Sequence, residues 1–127
     1  MVCKTIFLCI MANPKHILLV EDDISLSTVL ADYLQSKDYQ VQTAPNGQEA
    51  WDLLNKRHFD ILLTNISMPK MNGWQLIKTV RDSGQLMPVI IISAKTDRED
   101  IIRGYHLGCD DYVTKPFSMD ILICKIE

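Results

Sequence analysis

Short apolar runs and amphipathic stretches take turns along this chain from His16 onward, and few folds accommodate that rhythm. The runs are Ile17-Leu18-Leu19-Val20, Val41-Gln42-Thr43-Ala44, Ile61-Leu62-Leu63-Thr64, Val89-Ile90-Ile91-Ile92 and Tyr112-Val113-Thr114. Each has the length of a strand. Most are too continuous for a sheet with one wet face, which suits parallel strands covered on both sides. Between them Leu26, Val29, Leu30, Tyr33 and Leu34 follow helical spacing, as do Ala50, Leu53 and Leu54. Trp74, Ile77 and Val80 make a shorter apolar face, and Ile101, Ile102 and Tyr105 another. Ser118 is placed to cap a last helix carrying Ile121, Leu122 and Ile126. Turn signals fall at Pro45-Asn46-Gly47, Met68-Pro69, Asn72-Gly73 and Gly108.

Five strand–helix units in succession predict an α/β domain with a mostly parallel sheet. Right-handed crossovers then bring the carboxyl ends of all strands to one edge, beyond which open sheets of this kind bind their ligands. A length of 127 residues is that of one domain, and 47% hydrophobic with 23% charged residues excludes a disordered chain. With 13 Lys+Arg against 16 Asp+Glu the net charge is −3, which argues against direct nucleic-acid binding through a basic face. No apolar run reaches the ~18–20 residues that cross a bilayer, so a cytoplasmic domain without a membrane partner is expected.

The ends and the cysteines add less. Residues 1–12 include the apolar stretch Thr5 to Ala12, which imitates a weak signal peptide but lacks a small-x-small cleavage site. They read as an extension upstream of the folded unit, which is expected to span residues 13–127. Cys3, Cys9, Cys109 and Cys124 form no C-x-x-C pair, and His16, His58 and His106 are scattered, so reduced thiols are expected rather than zinc.

At the ends of the predicted strands stand Glu21-Asp22-Asp23 after the first, Asn65 after the third, Ser93-Ala94 at the fourth and Lys115-Pro116 after the fifth. Asp23 immediately precedes the first helix and is read as its cap. The remaining carboxylates suit a hard cation such as Mg²⁺, and a lysine with a hydroxyl suits phosphoryl oxygens. Any one of these residues could simply solvate the sheet edge; their common placement is what carries weight.

Ile17 to Asp23, Ile66 to Gly73, Ile92-Ser93-Ala94 and Asp110 to Phe117 together resemble the receiver domain of bacterial response regulators, in order, from about His16 to the end. The resemblance implies a five-stranded, flavodoxin-like parallel sheet of order 2-1-3-4-5 with helices on both faces. It implies that Asp22 is a direct Mg²⁺ ligand, Glu21 a ligand through water, and the Ser67 carbonyl the remaining protein ligand beside position 65. It further implies that Lys115 contacts the phosphoryl group, that the Lys115–Pro116 bond is cis, and that Ser93 and Tyr112 are a switch pair. In that pair the hydroxyl moves toward the phosphoryl oxygen and the ring swings inward. The partners implied are a sensor histidine kinase or phosphotransfer protein, with the fourth helix, fifth strand and fifth helix as the surface for a homodimer or output domain.

One landmark departs. The family's phosphoacceptor aspartate is replaced by Asn65, whose neutral amide is no comparable nucleophile. Phosphotransfer should fail and Mg²⁺ binding weaken. The substitution is either introduced or native, and in the second case the chain is a pseudo-receiver acting as a phosphorylation-independent interaction module. A phosphate-handling enzyme on a similar scaffold is the competing class, but no Gly-rich loop follows the first strand and no Ser-His-Asp or Cys-His pattern is visible. A non-enzymatic signalling domain is therefore expected. Ser67 is the nearest alternative acceptor, with no obvious base for its hydroxyl.

Overall fold

In the structure, a computed structural model, residues 15–126 are described, so the expected extension, with Cys3 and Cys9, lies outside the described residues. The apolar runs become β1 (His16–Val20), β2 (Gln40–Ala44), β3 (Ile61–Thr64), β4 (Val89–Ser93) and β5 (Asp111–Thr114). They form one parallel sheet of order β2-β1-β3-β4-β5, as the resemblance implied. Every residue of β3 and β4 is buried, while β2, at the sheet edge, is largely partly covered or exposed. Continuous apolarity thus marks the strands that have neighbours on both sides.

The helices are α1 (Ile24–Ser36), α2 (Gly47–Lys56), α3 (Gly73–Asp82), α4 (Arg98–Leu107) and α5 (Met119–Ile126). Alternate strand residues feed two cores. Leu18, Val20, Leu62 and Ile91 face one layer with Leu54, Leu76, Ile77 and Val80. Ile17, Leu19, Leu63 and Ile92 face the other with Leu30, Leu34, Leu122 and Ile126. Fully burying each such side chain contributes about 1.5–3 kcal/mol, so the three-layer sandwich holds the strand ends in fixed register.

Several helix-face expectations need correcting. The fully buried residue of α4 is Gly104, and Ile101 packs partly buried against the core as expected, whereas Ile102 and Tyr105 are 44% and 46% exposed. A Cβ on Gly104 would lie 2.9 Å from Ile91 Cδ1 and 3.1 Å from Tyr112 Cδ2, so α4 sits too close to the sheet for a side chain there. Val29 and Ile121 also face solvent, and the inner face of α1 is Ser27, Leu30, Ala31 and Leu34. Asn46-Gly47 and Asn72-Gly73 are not free-standing turns but helix starts. Asn46 Oδ1 accepts the Glu49 N–H at 2.9 Å, and Asn72 forms a reciprocal capping box with Gln75. Asp23 caps α1 as expected, accepting the Leu26 N–H at 3.2 Å. Ser118 precedes α5, where its carbonyl accepts the Leu122 N–H at 3.0 Å.

Candidate functional site

Strand register brings the predicted residues to one edge. Val20 pairs with Thr64, so Glu21 and Asn65 leave the sheet side by side. The Asn65 N–H donates to the Val20 carbonyl and the Glu21 N–H to the Ala44 carbonyl, both at 3.0 Å. Ser93 pairs with Thr114, and the Lys115 N–H donates to the Ser93 carbonyl at 2.8 Å. The Lys115–Pro116 bond is cis.

Asn65 is the hub of the crevice. Its Nδ2 lies 3.2 Å from Glu21 Oε1, 3.3 Å from Asp22 Oδ1 and 3.4 Å from the Ser67 carbonyl. Its Oδ1 accepts the Ile66 N–H at 2.8 Å. That bond fixes the amide's orientation, because only an oxygen can accept there; turned over, the group would set an NH₂ against an N–H and an oxygen against three oxygens.

Glu21 is the buried charge of the site, at 4% exposure. Its Oε2 pairs with Lys115 Nζ at 3.2 Å, and its Oε1 also accepts the Asp23 N–H at 3.2 Å. Burial pushes its carboxyl above the ordinary glutamate value, and the Lys115 ammonium opposes that shift. Asp22, by contrast, is exposed. Two carboxylates and a carbonyl that converge on one nitrogen make an oxygen set of the kind a hard cation takes. Among the described residues, no cluster of three or more His, Cys, Asp or Glu is placed to hold a metal.

Ser93 and Tyr112 form a second group beside the first. Ser93, 2% exposed, accepts the Lys95 N–H on its hydroxyl at 3.0 Å. The buried Tyr112 ring points inward, and its hydroxyl donates to the Lys95 carbonyl at 2.8 Å. Burial raises the Tyr112 phenol further above its ordinary value, so it stays protonated and a donor. Both peptide groups of Lys95 are thereby held, a role for backbone that no side-chain pattern announces. Thr64 was also missed: fully buried, it donates its hydroxyl to the Asn65 carbonyl at 2.8 Å, steadying the hub from behind.

Two glycines press helices onto this edge. A Cβ on Gly73 would sit 2.2 Å from the Asn65 carbonyl oxygen, and one on Gly47 would sit 2.3 Å from the Met71 carbonyl oxygen. Away from the edge, Arg81 ties α3 to the carbonyls of Gln85, Met87 and Gly108 and to Asp110. Among the described residues Cys109 and Cys124 are free thiols, and no helix is long and apolar enough to cross a membrane.

Comparison with known proteins agrees with this fold. Residues 17–127 match the model of the response regulator receiver domain. The transcriptional regulatory protein RprY of Bacteroides fragilis is 41% identical over 117 residues, which are 92% of this chain and 50% of that protein. The chain spans about half the length of the curated relatives it matches. Among solved structures, the receiver domain of the Francisella response regulator 1452 superposes with a TM-score of 0.86 at 34% identity, covering 90% of this chain and 93% of that one. The BeF3-activated receiver domain of RstA from Klebsiella pneumoniae superposes with a TM-score of 0.84 at 26% identity, covering 88% of this chain and 95% of that one.

Proposed function

We propose that this chain, which belongs to the response regulator receiver family, is a two-component receiver module in which Asn65 stands at the phosphoacceptor position and blocks phosphotransfer. The observation that supports it is the placement of Asn65 at the end of β3, within hydrogen-bond reach of Glu21 and Asp22, with Lys115 joined to the same glutamate. The folded unit is residues 13–127, in the cytoplasm, and the partner is a histidine kinase or phosphotransfer protein.

Transfer to a receiver needs an ionised carboxylate oxygen to attack phosphorus as the donor imidazole leaves. Asn65 offers no such atom. Its nitrogen lone pair is delocalised, and its oxygen is engaged by the Ile66 N–H. Mg²⁺, which receiver domains generally bind, would neutralise phosphoryl oxygens; Glu21, Asp22, the Ser67 carbonyl and Asn65 are the residues that would hold it, more weakly for the missing charge. Lys115 would meet a phosphoryl oxygen with its ammonium, and the Ser93 hydroxyl another.

A second reading has its own support. Tyr112 already lies inward, its hydroxyl bound to the Lys95 carbonyl. The inward ring is one half of what the resemblance assigns to the switched receiver, and it favours a pseudo-receiver that signals by binding. The output face in either reading is α4, β5 and α5, where Ile102, Tyr105 and Ile121 are exposed and Lys125 pairs with Asp111.

The test is an NMR titration with beryllofluoride and Mg²⁺, a phosphoryl mimic that forms on aspartate. The Asn65→Asp protein is expected to shift its Ser93, Tyr112 and Lys115 amides, while the parent spectrum stays put. An unresponsive Asn65→Asp protein would leave the binding-module reading.

A further inference from the structure

We infer that the Asn65 carboxamide is the crevice's own resident cation substitute, its NH₂ seated among the oxygens of Glu21, Asp22 and Ser67 and thereby keeping Mg²⁺ out. The inference rests on the receiver reading and deepens it. Substitution by asparagine removes one negative charge, and charge alone would weaken a metal site. The geometry adds a second effect of different origin.

Three oxygens from three residues lie 3.2–3.4 Å from one nitrogen. Two N–H hydrogens share three acceptors, of which two are charged, so the bonds are long but charge-assisted. Lys115 takes the other oxygen of Glu21 at 3.2 Å. An ammonium thus offsets one of the two carboxylate charges, and the amide N–H hydrogens occupy the oxygens that a cation would take. Mg²⁺ needs oxygens at about 2.0–2.1 Å in octahedral array, and N–H hydrogens at that point repel it. Turning the amide to present Oδ1 would break the 2.8 Å bond from the Ile66 N–H and leave that donor without its partner. Asn65 is therefore a plug rather than a weaker ligand.

The two effects separate by substitution. If Asn65 served as a poor oxygen ligand, Asn65→Ala would bind Mg²⁺ more weakly than the parent. As a plug, its removal opens the seat without adding charge, and Asn65→Ala binds more tightly. Calorimetric titration with magnesium chloride alone is expected to rank Asn65→Asp tightest, by roughly tenfold or more over the parent, with Asn65→Ala about threefold tighter than the parent. Affinity of Asn65→Ala equal to or below the parent's overturns the inference while leaving the receiver reading intact. Failure of folded Asn65→Asp to bind Mg²⁺ overturns both.

A measurement on the parent stands even if Asn65→Ala does not fold. In metal-free solution the Asn65 side-chain NH₂ protons are expected to exchange with solvent at least about tenfold more slowly than those of the exposed Asn55. Exchange as fast as at Asn55 would overturn the plug.

Discussion

Replacing Lys115 by methionine is expected to cost about 2 kcal/mol of folding stability at neutral pH, most of it recovered on acidification. Removing one partner of a buried ion pair costs about 3–5 kcal/mol, because a charge is left without compensation. The figure is reduced here because the Lys115 side chain keeps 23% of its exposure, so solvent already screens the pair. The pH dependence follows from Glu21. Burial holds its folded-state pKa above the ordinary value, so the native state binds a proton more readily than the unfolded chain. Stability therefore rises as pH falls through the folded pKa and levels off below the unfolded one. Without Lys115 the opposing attraction disappears, the folded pKa climbs further, and the window in which acid stabilises widens upward. Urea unfolding at several pH values, in Lys115→Met and in Lys115→Met with Glu21→Gln, reads this directly. The second protein should regain most of the loss. A deficit independent of pH and unchanged by Glu21→Gln would mean that Lys115 acts by packing its stem, not by its charge.

Gly73→Ala should be among the most damaging single changes in the chain, at about 3 kcal/mol or more. Its Cβ would fall 2.2 Å from the Asn65 carbonyl oxygen and 2.8 Å from Ile66 Cα. Both are backbone atoms and no rotamer relieves them. Helix propensity pulls the other way by about 1 kcal/mol and does not compensate. Gly84 provides the contrast, since a Cβ there meets nothing within 4 Å but the backbone sits at φ 88°. Gly84→Ala should cost only about 1–2 kcal/mol, from left-handed strain. Chemical denaturation of the two variants side by side decides the matter, and equal losses would show that the α3–β3 approach is more yielding than its geometry implies. The damage at Gly73 should also reach the crevice, because the clashing carbonyl belongs to the hub.

How far the sequence discloses this molecule depends on what each residue contributes. Continuous runs such as Val89 to Ile92 announce buried parallel strands, since both faces of the strand need apolar cover. Residues at the strand ends can be placed because parallel strands with right-handed crossovers leave every carboxyl end on one edge. Periodicity misplaced Ile102 and Tyr105 on α4 for a definite reason. It weighs apolar side chains, and the contact that seats α4 on the sheet is Gly104, which has none. The same rule placed Val29 and Ile121 inward, where the structure leaves them exposed. In the crevice, residue types and neighbourhood were legible, but hydrogen-bond direction was not. Whether Asn65 presents oxygen or nitrogen to Glu21 depends on a single backbone N–H, that of Ile66. The hold of Ser93 and Tyr112 on Lys95 is likewise invisible beforehand, because it is made to main chain.

The most direct measurement is intact mass spectrometry of the protein and of Asn65→Asp after incubation with a small-molecule phosphodonor and Mg²⁺, followed by peptide mapping. A receiver pocket silenced by one side chain predicts that the parent stays unmodified and that Asn65→Asp gains one phosphoryl group, mapped to residue 65. An unmodified Asn65→Asp protein, or a parent that takes up phosphate at Ser67 or elsewhere, would contradict it.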